Sequence, residues 1–462
     1  MAGKSRPQQI PLSSGVGEQD IAGQEALINV YAESSEGSKR FPFTLKGTPG
    51  LALWVELDSL EVKALYVLGN LLYAFTATKL YTVDKSTVVT ELGDIDIQGV
   101  ASVESNGKQI VLVDGFKGFS YDTETEVLQE ITDDAFYPAR TVTFVDGYLI
   151  FDRKGTNQFF WTDPYSLIFD GLSFASAEAS PDELMSIIAN HRELLLFGEI
   201  TTEAWYSSGG ADLPWTRNNG AFIEKGIAAP RSASVVDNSV VWVGSDRMVY
   251  QSQGYTPVRI STHAVEKTLS AVDVSDAFAY EYHDKGHLFY MLTIPSLDLT
   301  WCWDASTRQW HIRRDYHFGR HRSNCHTFFA GRNLVGDFQN GRIYDMTEQE
   351  YQDDLTTIKR VITLPTVDSG RSFLTVYSLE LIMAVGVGVA NGTGSDPMAE
   401  VECSDDNGKT WTSAYKTPIG KMGEYEARIK WWRLGRFRQR VFRITISAPV
   451  LIDIGGAYIE VG

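Results

Sequence analysis

One plan recurs through the middle of this chain and limits what it can fold into. From about residue 64 to 350, each unit has a strand, a turn carrying Gly, Asn or Asp, an apolar strand rich in Leu, Tyr and Phe, and a third strand. Tyr66-Val67-Leu68-Gly69-Asn70-Leu71-Leu72-Tyr73-Ala74-Phe75 is a clear case. Thr143-Phe144-Val145-Asp146-Gly147-Tyr148-Leu149-Ile150-Phe151 is another, and Val235 to Val243 repeats it around Asp237-Asn238. Similar turns fall near Gly107, Asn190, Gly286 and Gly331. They return at roughly 40–48 residues, the period of propeller blades. Seven such hairpins can be counted. The repeat is degenerate, so six or eight blades also fit it, and no WD or kelch signature marks it. An irregular series of β-meanders is the plainer alternative. Helical periodicity is scarce, with short helices expected only over Asp182 to Asn190 and Glu348 to Leu355.

The flanks differ in character. Residues 1–25 are dominated by Gln, Ser and Gly and read as a flexible opening. Leu27-Ile28-Asn29-Val30-Tyr31 reads as a first strand, followed by a polar loop from Ser34 to Lys39 and a Gly/Pro turn at Lys46 to Leu51. After residue 356, strands are expected over Leu374 to Val389 (a pair), Glu400 to Cys403, Trp411 to Lys416, Val441 to Ser447 and Ala457 to Val461. The expectation is an all-β chain: an N-terminal arm and first strands (1–50), a β-propeller of about seven blades (51–355), and a C-terminal β-sandwich (356–462).

Composition bears on partners. The 462 residues are 43% hydrophobic, ample for a large core, and carry a net charge of -18. Such acidity argues against general nucleic-acid binding, because phosphate is repelled, but suits a wall that DNA slides past. Cys302, Cys325 and Cys403 are too few to build a disulfide framework, which points to assembly in a reducing cytoplasm. The polar start, with Lys4 and Arg6, has no apolar signal-peptide core. No apolar stretch reaches the roughly 20 residues of a membrane helix, so no membrane partner is expected.

Several motifs invite a chemical reading. Ser404-Asp405-Asp406-Asn407-Gly408-Lys409-Thr410-Trp411 fits S-x-D-x-G-x-T-W, an Asp-box. In it, Ser404, Asp406, Gly408 and Trp411 act as a turn stabiliser: carboxylate accepting backbone N–H bonds, Gly allowing positive φ, Trp packing beneath. There is one box only, outside the repeat, and no Arg-Ile-Pro segment, so a sialidase is not the expectation. His311, His317, His321 and His326 cluster with Cys325. His317 and His321 have metal spacing on a helix, but Arg313 to Arg322 reads as a solvated basic loop. Gly386, Gly388, Gly392 and Gly394 miss the dinucleotide-binding spacing and read as a hairpin loop; Asn391-Gly392-Thr393 is a sequon without consequence in a cytoplasmic protein. No nucleophile elbow, P-loop or zincin motif is present. Catalytic residues, metal and cofactor are therefore not expected.

Arg428, Lys430, Arg433, Arg436, Arg438, Arg440 and Arg443 form a basic run with no acid among them and with Trp431, Trp432, Phe437 and Phe442 interleaved. Arg436, Arg438 and Arg440 alternate and would share one strand face, with a bulge or a passage to the core before Phe442. An interface with an acidic neighbouring subunit is favoured over DNA contact and over a solvated face, since Arg and Trp are enriched at interfaces.

The order of motifs from the Asp-box through Ile419-Gly420-Lys421-Met422-Gly423-Glu424-Tyr425, Arg428, Trp431-Trp432-Arg433-Leu434-Gly435-Arg436, Phe442-Arg443 and Ser447-Ala448-Pro449-Val450 resembles the packaged-DNA stabilisation, or tail hub, proteins of short-tailed bacteriophages. Asn29-Val30-Tyr31 and Thr48-Pro49-Gly50-Leu51 resemble that family's opening; Asn407 stands where the family often has Gly. The resemblance covers about 65 C-terminal residues and a few near the start. It implies a virion protein that forms a ring of copies, a hexamer, under the portal and its adaptor ring. It implies contacts to a needle or plug and to tailspikes or fibres, with double-stranded DNA passing through the lumen. The alternative from another class is a carbohydrate-binding or glycoside-cleaving propeller of a phage tail, whose mark would be carboxylates and aromatics at one propeller mouth.

Overall fold

The computed structural model describes residues 8–10, 26–34, 42–57, 59–178, 180–210, 213–370 and 372–462. The flexible opening expected over residues 1–25 lies outside these apart from 8–10, as does the polar loop after Ser34.

The repeating hairpins become seven four-stranded antiparallel blades, five of them separate sheets and two of them parts of larger sheets. Their inner strands are Val62–Leu68, Ser102–Ser105, Val142–Val145, Leu184–Asn190, Ser234–Val236, Phe278–Asp284 and Ser323–Phe329. These stand side by side around an axis, the last returning to the first. Blade-to-blade packing covers both faces of each second strand, so these strands are apolar throughout rather than alternating. Glu193–Gly198, Ser239–Val243 and Gln109–Val113 are buried at every position but the first. Outer strands face water on one side and turn polar, as in Val127–Glu130. The first hairpin of several blades is a two-residue turn with both residues at positive φ, such as Asp146 (51°) and Gly147 (97°), whose twist matches that of the flanking strands.

The ring is closed by the N-terminal region. The outer strand of blade seven, beyond Arg342–Thr347, is Gly50–Glu56, which runs straight on toward blade one. Gly50 is required there: a Cβ at this position would lie 2.4 Å from the Gln352 carbonyl oxygen and 2.7 Å from that of Glu350.

The C-terminal β-sandwich is not made by the C-terminal segment alone. One sheet runs Val30–Ser34, Phe43–Gly47, Asp453–Val461, Leu374–Met383, Ile429–Phe437, with Gln8–Ile10 also on Asp453–Val461. The other runs Leu27–Ile28, Arg360–Thr363, Gln439–Ile446, Met398–Ser404, Tyr415–Pro418. Between them lies one apolar core that includes Val30, Leu45, Leu379, Trp431, Phe442 and Ile454. The second sheet does not stop at its own edge. Leu27–Ile28 pairs with Arg360–Thr363 on one side and with Gln309–Arg313, the outer strand of blade six, on the other. Propeller and sandwich thus share one continuous hydrogen-bonded sheet.

Three sequence expectations are corrected. The first strand is two: Asn29, at φ 56°, breaks it, sending Leu27–Ile28 and Val30–Ser34 into different sheets. Neither expected helix forms. Asp182 to Asn190 carries the inner strand of blade four, and Glu348 to Leu355 is turns around the short strand Gln352–Asp353. The α-helix among the described residues is His263–Leu269, whose Val265 and Leu269 are buried between blades five and six. Leu374 to Val389 gives one strand, ending at Met383, and a loop. No helix of the described residues is long and apolar enough to cross a membrane.

Candidate interaction surfaces

The Asp-box is a loop joining Met398–Ser404 to Tyr415–Pro418 across the edge of the second sandwich sheet. Ser404 Oγ donates to Asp406 Oδ1 (2.7 Å) and accepts from the Gly408 N–H (2.7 Å). Asp406 also accepts from the Thr410 N–H (2.8 Å) and hydroxyl (2.6 Å). These bonds from Thr410 hold its carboxyl well below the usual range. Asn407 and Gly408 sit at φ 59° and 87°. Trp411 Nε1 donates to the Gly408 carbonyl (3.1 Å), and its ring carries the Arg443 guanidinium at 3.9 Å. Every polar contact of Asp406 is internal to the loop, and the arrangement does the work of a turn.

The basic run splits at a corner. Ile429–Phe437 belongs to the first sheet and Gln439–Ile446 to the second, with Arg438 at the bend between them. Arg436, Arg438 and Arg440 therefore do not share one strand face, because the chain changes sheets between them. Earlier in the run Arg433 occupies a bulge, at φ 58°, where the register against Leu374–Met383 slips.

Four of the seven cations are neutralised within the chain. Arg440 is buried and forks onto Asp405 (2.5 and 2.7 Å), and also donates to the Leu434 carbonyl. Arg443 pairs with Glu402 (2.8 Å), Arg428 with Glu380 (2.8 Å), and Lys430 lies 3.8 Å from Glu380 and 3.9 Å from Glu460. Arg433, Arg436 and Arg438 have no carboxylate partner among the described residues. Arg436 and Arg438 instead flank the Phe373 ring at 4.6 and 4.8 Å. Trp432 (60% exposed), Phe373 (53%) and Tyr377 (49%) complete a basic, aromatic patch on the free edge of the first sheet. Phe373 and Tyr377 escape sequence reasoning, since only the pairing of Leu374–Met383 with Ile429–Phe437 brings them to the arginines.

The histidine segment corrects another expectation. The stretch from Arg313 to Arg322 is a loop, but only partly solvated: Arg314, Tyr316 and His317 are exposed, whereas Arg313, Asp315, Arg320 and His321 are buried. Arg313 donates to the Tyr282 hydroxyl (2.8 Å), and Arg322 bridges Asp315 and Asp337 (2.9 Å each). Burial pushes His311 down to about 3 and His326 down to about 4. His326 stacks on Tyr280, and His321 Nδ1 bonds Ser323 Oγ (2.7 Å). Among the described residues no group of three His, Cys, Asp or Glu could hold a metal ion. The glycine run is a loop, tied by the Val389 N–H to the Gly394 carbonyl (3.0 Å).

The propeller axis is narrow. Ser102, Glu104, Thr143, Ser186 and Arg231 line a cavity of about 250 Å³ there. Arg231, from the segment before blade five, reaches across to Ser102 Oγ of blade two (3.0 Å). Its burial lowers it to about 10, against the pull of Asp152.

Blades one and two hold the opposite charge. Residues 84–134 contain twelve carboxylates against three lysines. Lys79, Lys108 and Lys117 pair with Glu91, Glu124 and Glu130. Exposed Glu126, Asp133 and Asp134 have no cationic partner among the described residues.

Two family models match this molecule almost end to end. The model described as "Bacteriophage P22 Gp10, beta-propeller" matches residues 8–351, and "Bacteriophage P22 Gp10, beta-sandwich" matches residues 359–462. A propeller continuous with a sandwich, matched so, defines a structural tail protein of a bacteriophage. The chain belongs to the P22 Gp10 family, the packaged-DNA stabilisation or tail hub proteins of podovirus-type phages. No curated protein matches it. Among solved structures it is similar to the computationally designed Ika8 protein (13% identity, 74% of this chain and 100% of that one, TM-score 0.38). It is also similar to the N-terminal domain of Nup159 (12%, 70% and 99%, 0.39) and to PorZ of Porphyromonas gingivalis (10%, 80% and 46%, 0.39). Likenesses this loose do not bear on function.

Proposed function

We propose that this protein is the hub, or nozzle, of a short phage tail. Copies form a closed ring, six by the family resemblance, below the portal and its adaptor ring. The ring keeps packaged DNA in the filled head and becomes the conduit for the genome at ejection. Below it docks a needle or plug, and at its side the tailspikes or fibres; assembly takes place in the host cytoplasm. The observation that carries this reading is the pair of matches over residues 8–351 and 359–462. The narrow axis supports one detail. With Arg231 bonded across it to Ser102, a duplex has no path through a single propeller, so the lumen lies between copies. A largely acidic wall leaves DNA free to slide.

The test is complementation of a phage deleted for this gene. Without the protein, heads should fill and then lose their DNA, and electron micrographs should show tail-less particles; the wild-type chain should restore full, tailed heads. If deletion leaves heads full and tailed but abolishes adsorption or glycan cleavage, the glycan-active propeller replaces the hub.

A further inference from the structure

The two charge patches lie on different modules, one on the sandwich and one on the propeller. The sandwich is attached across blades six and seven, through Leu27–Ile28 on Gln309–Arg313 and through Tyr31, whose ring packs edge-on against His287 and Phe289 (5.1 and 5.4 Å) and whose hydroxyl donates to Glu348. From Val30–Ser34, beside that blade, the first sheet extends through four more strands to Ile429–Phe437. At about 4.8 Å per strand, its free edge stands roughly 19 Å from Val30–Ser34. That edge holds Arg433, Arg436, Arg438, Trp432, Phe373 and Tyr377. Blade two is three blades on from blade six and two on from blade seven in a ring of seven. There exposed Asp133 and Asp134 lie near one end of Val127–Glu130 with exposed Phe116, whose ring carries the Lys154 ammonium at 4.1 Å, and exposed Glu126 and Val127 lie at its other end.

We infer that the basic, aromatic edge of the sandwich docks onto the acidic rim of blades one and two of a second copy of this chain. The inference rests on the ring reading above and names the two faces that make the ring. Two different faces on the two copies give a heterologous, head-to-tail contact, which closes into a ring when the rotation between copies permits. The composition fits a desolvated contact: Arg and Trp anchors on one side, carboxylates around small apolar groups on the other. Surplus charge of opposite sign also fixes register and repels the wrong pairings, edge to edge or rim to rim.

The experiment uses full-length chains in the complemented deletion phage, counting copies per purified particle by quantitative mass spectrometry. Arg436→Glu with Arg438→Glu, and separately Asp133→Arg with Asp134→Arg, should each cut the copy number at least tenfold. All four together should restore it to at least half of wild type. Each purified variant should melt within a few degrees of wild type; if the arginine reversal does not, Arg433→Glu takes its place, and if the aspartate reversal does not, Asp134→Arg alone does. The inference is overturned if either reversal leaves the copy number unchanged, or if the combination fails to restore it. It is also overturned if the arginine reversal leaves the ring intact but lets DNA escape, which would turn that edge toward DNA. Wild-type chain missing from complemented particles sinks the hub reading itself; wild-type chain present with harmless reversals sinks only this pairing.

Discussion

Asn29 is a single residue on which three substructures meet. Its side chain donates to the carbonyls of Arg314 (2.8 Å) and Lys359 (3.0 Å) and accepts from the Arg314 N–H (2.8 Å). Its carbonyl accepts from the Thr48 N–H (3.1 Å), and its positive φ turns the chain from one sandwich sheet to the other. Asn29→Ala should destabilise the full chain by about 3 kcal/mol, from the lost buried hydrogen bonds and the left-handed backbone, measured by denaturant unfolding. The sequence hides this, because Leu-Ile-Asn-Val-Tyr is mostly good strand and the partners of Asn29 lie some 300 residues away. A second residue-scale prediction concerns buried His287 and Asp304, bonded at 2.8 Å. The bond from Asp304 raises His287, and although burial pushes Asp304 up, the bonds from His287 and Thr307 leave its carboxyl below its usual range. A raised His stabilises at low pH and loses that contribution as pH rises through its folded value. A lowered Asp stabilises at higher pH and loses its contribution on acidification. Their joint contribution therefore peaks between about pH 4 and 6.5. Asp304→Asn should lower stability there by about 2 kcal/mol and flatten the pH profile, as read by thermal melts across that range.

The individual elements differ in how far they can be read from sequence. The seven first hairpins are legible because turn chemistry and apolar second strands are local properties. The Asp-box is legible for the same reason. Asp406→Ala should remove hydrogen-exchange protection from the Gly408 and Thr410 amides and leave the melting temperature of the whole chain nearly unchanged. The closing strand Gly50–Glu56 looks like any other strand, and nothing near it says that it pairs with Arg342–Thr347. Gly50→Ala should loosen that closure, lowering stability by about 1–3 kcal/mol and speeding limited proteolysis within blade seven. The basic run was legible as chemistry but not as shape. Its corner at Arg438 depends on which sheet each half joins, so the alternation of Arg436, Arg438 and Arg440 misleads, and the ion pairs that quiet Arg440 and Arg443 come from residues 35 and 41 positions away.

At the scale of the whole molecule, the net charge of -18 conceals an uneven distribution, acidic on blades one and two and basic at the far edge of the sandwich. Assembly driven by such faces should weaken with salt. Ring formation or particle incorporation should fall markedly between about 0.1 and 1 M salt, where the screening length shrinks from about 10 to 3 Å. Sedimentation or particle composition would check it. The pairing of Gln8 with Ile459 and of Gly50–Glu56 with blade seven has a different kind of consequence. A ribosome releases this chain in order, so the strands made first must wait for partners made last. Blades one to six can collapse as they emerge, but the ring keeps an open seam until Arg342–Thr347 is out, and the first sandwich sheet stays split until Asp453–Val461 is out. Contacts this distant in sequence make folding slow and leave unpaired edges exposed meanwhile. Closure of the propeller ring therefore comes before closure of the first sandwich sheet, and a nascent chain truncated before Asp453 should be a substrate for chaperones and proteases.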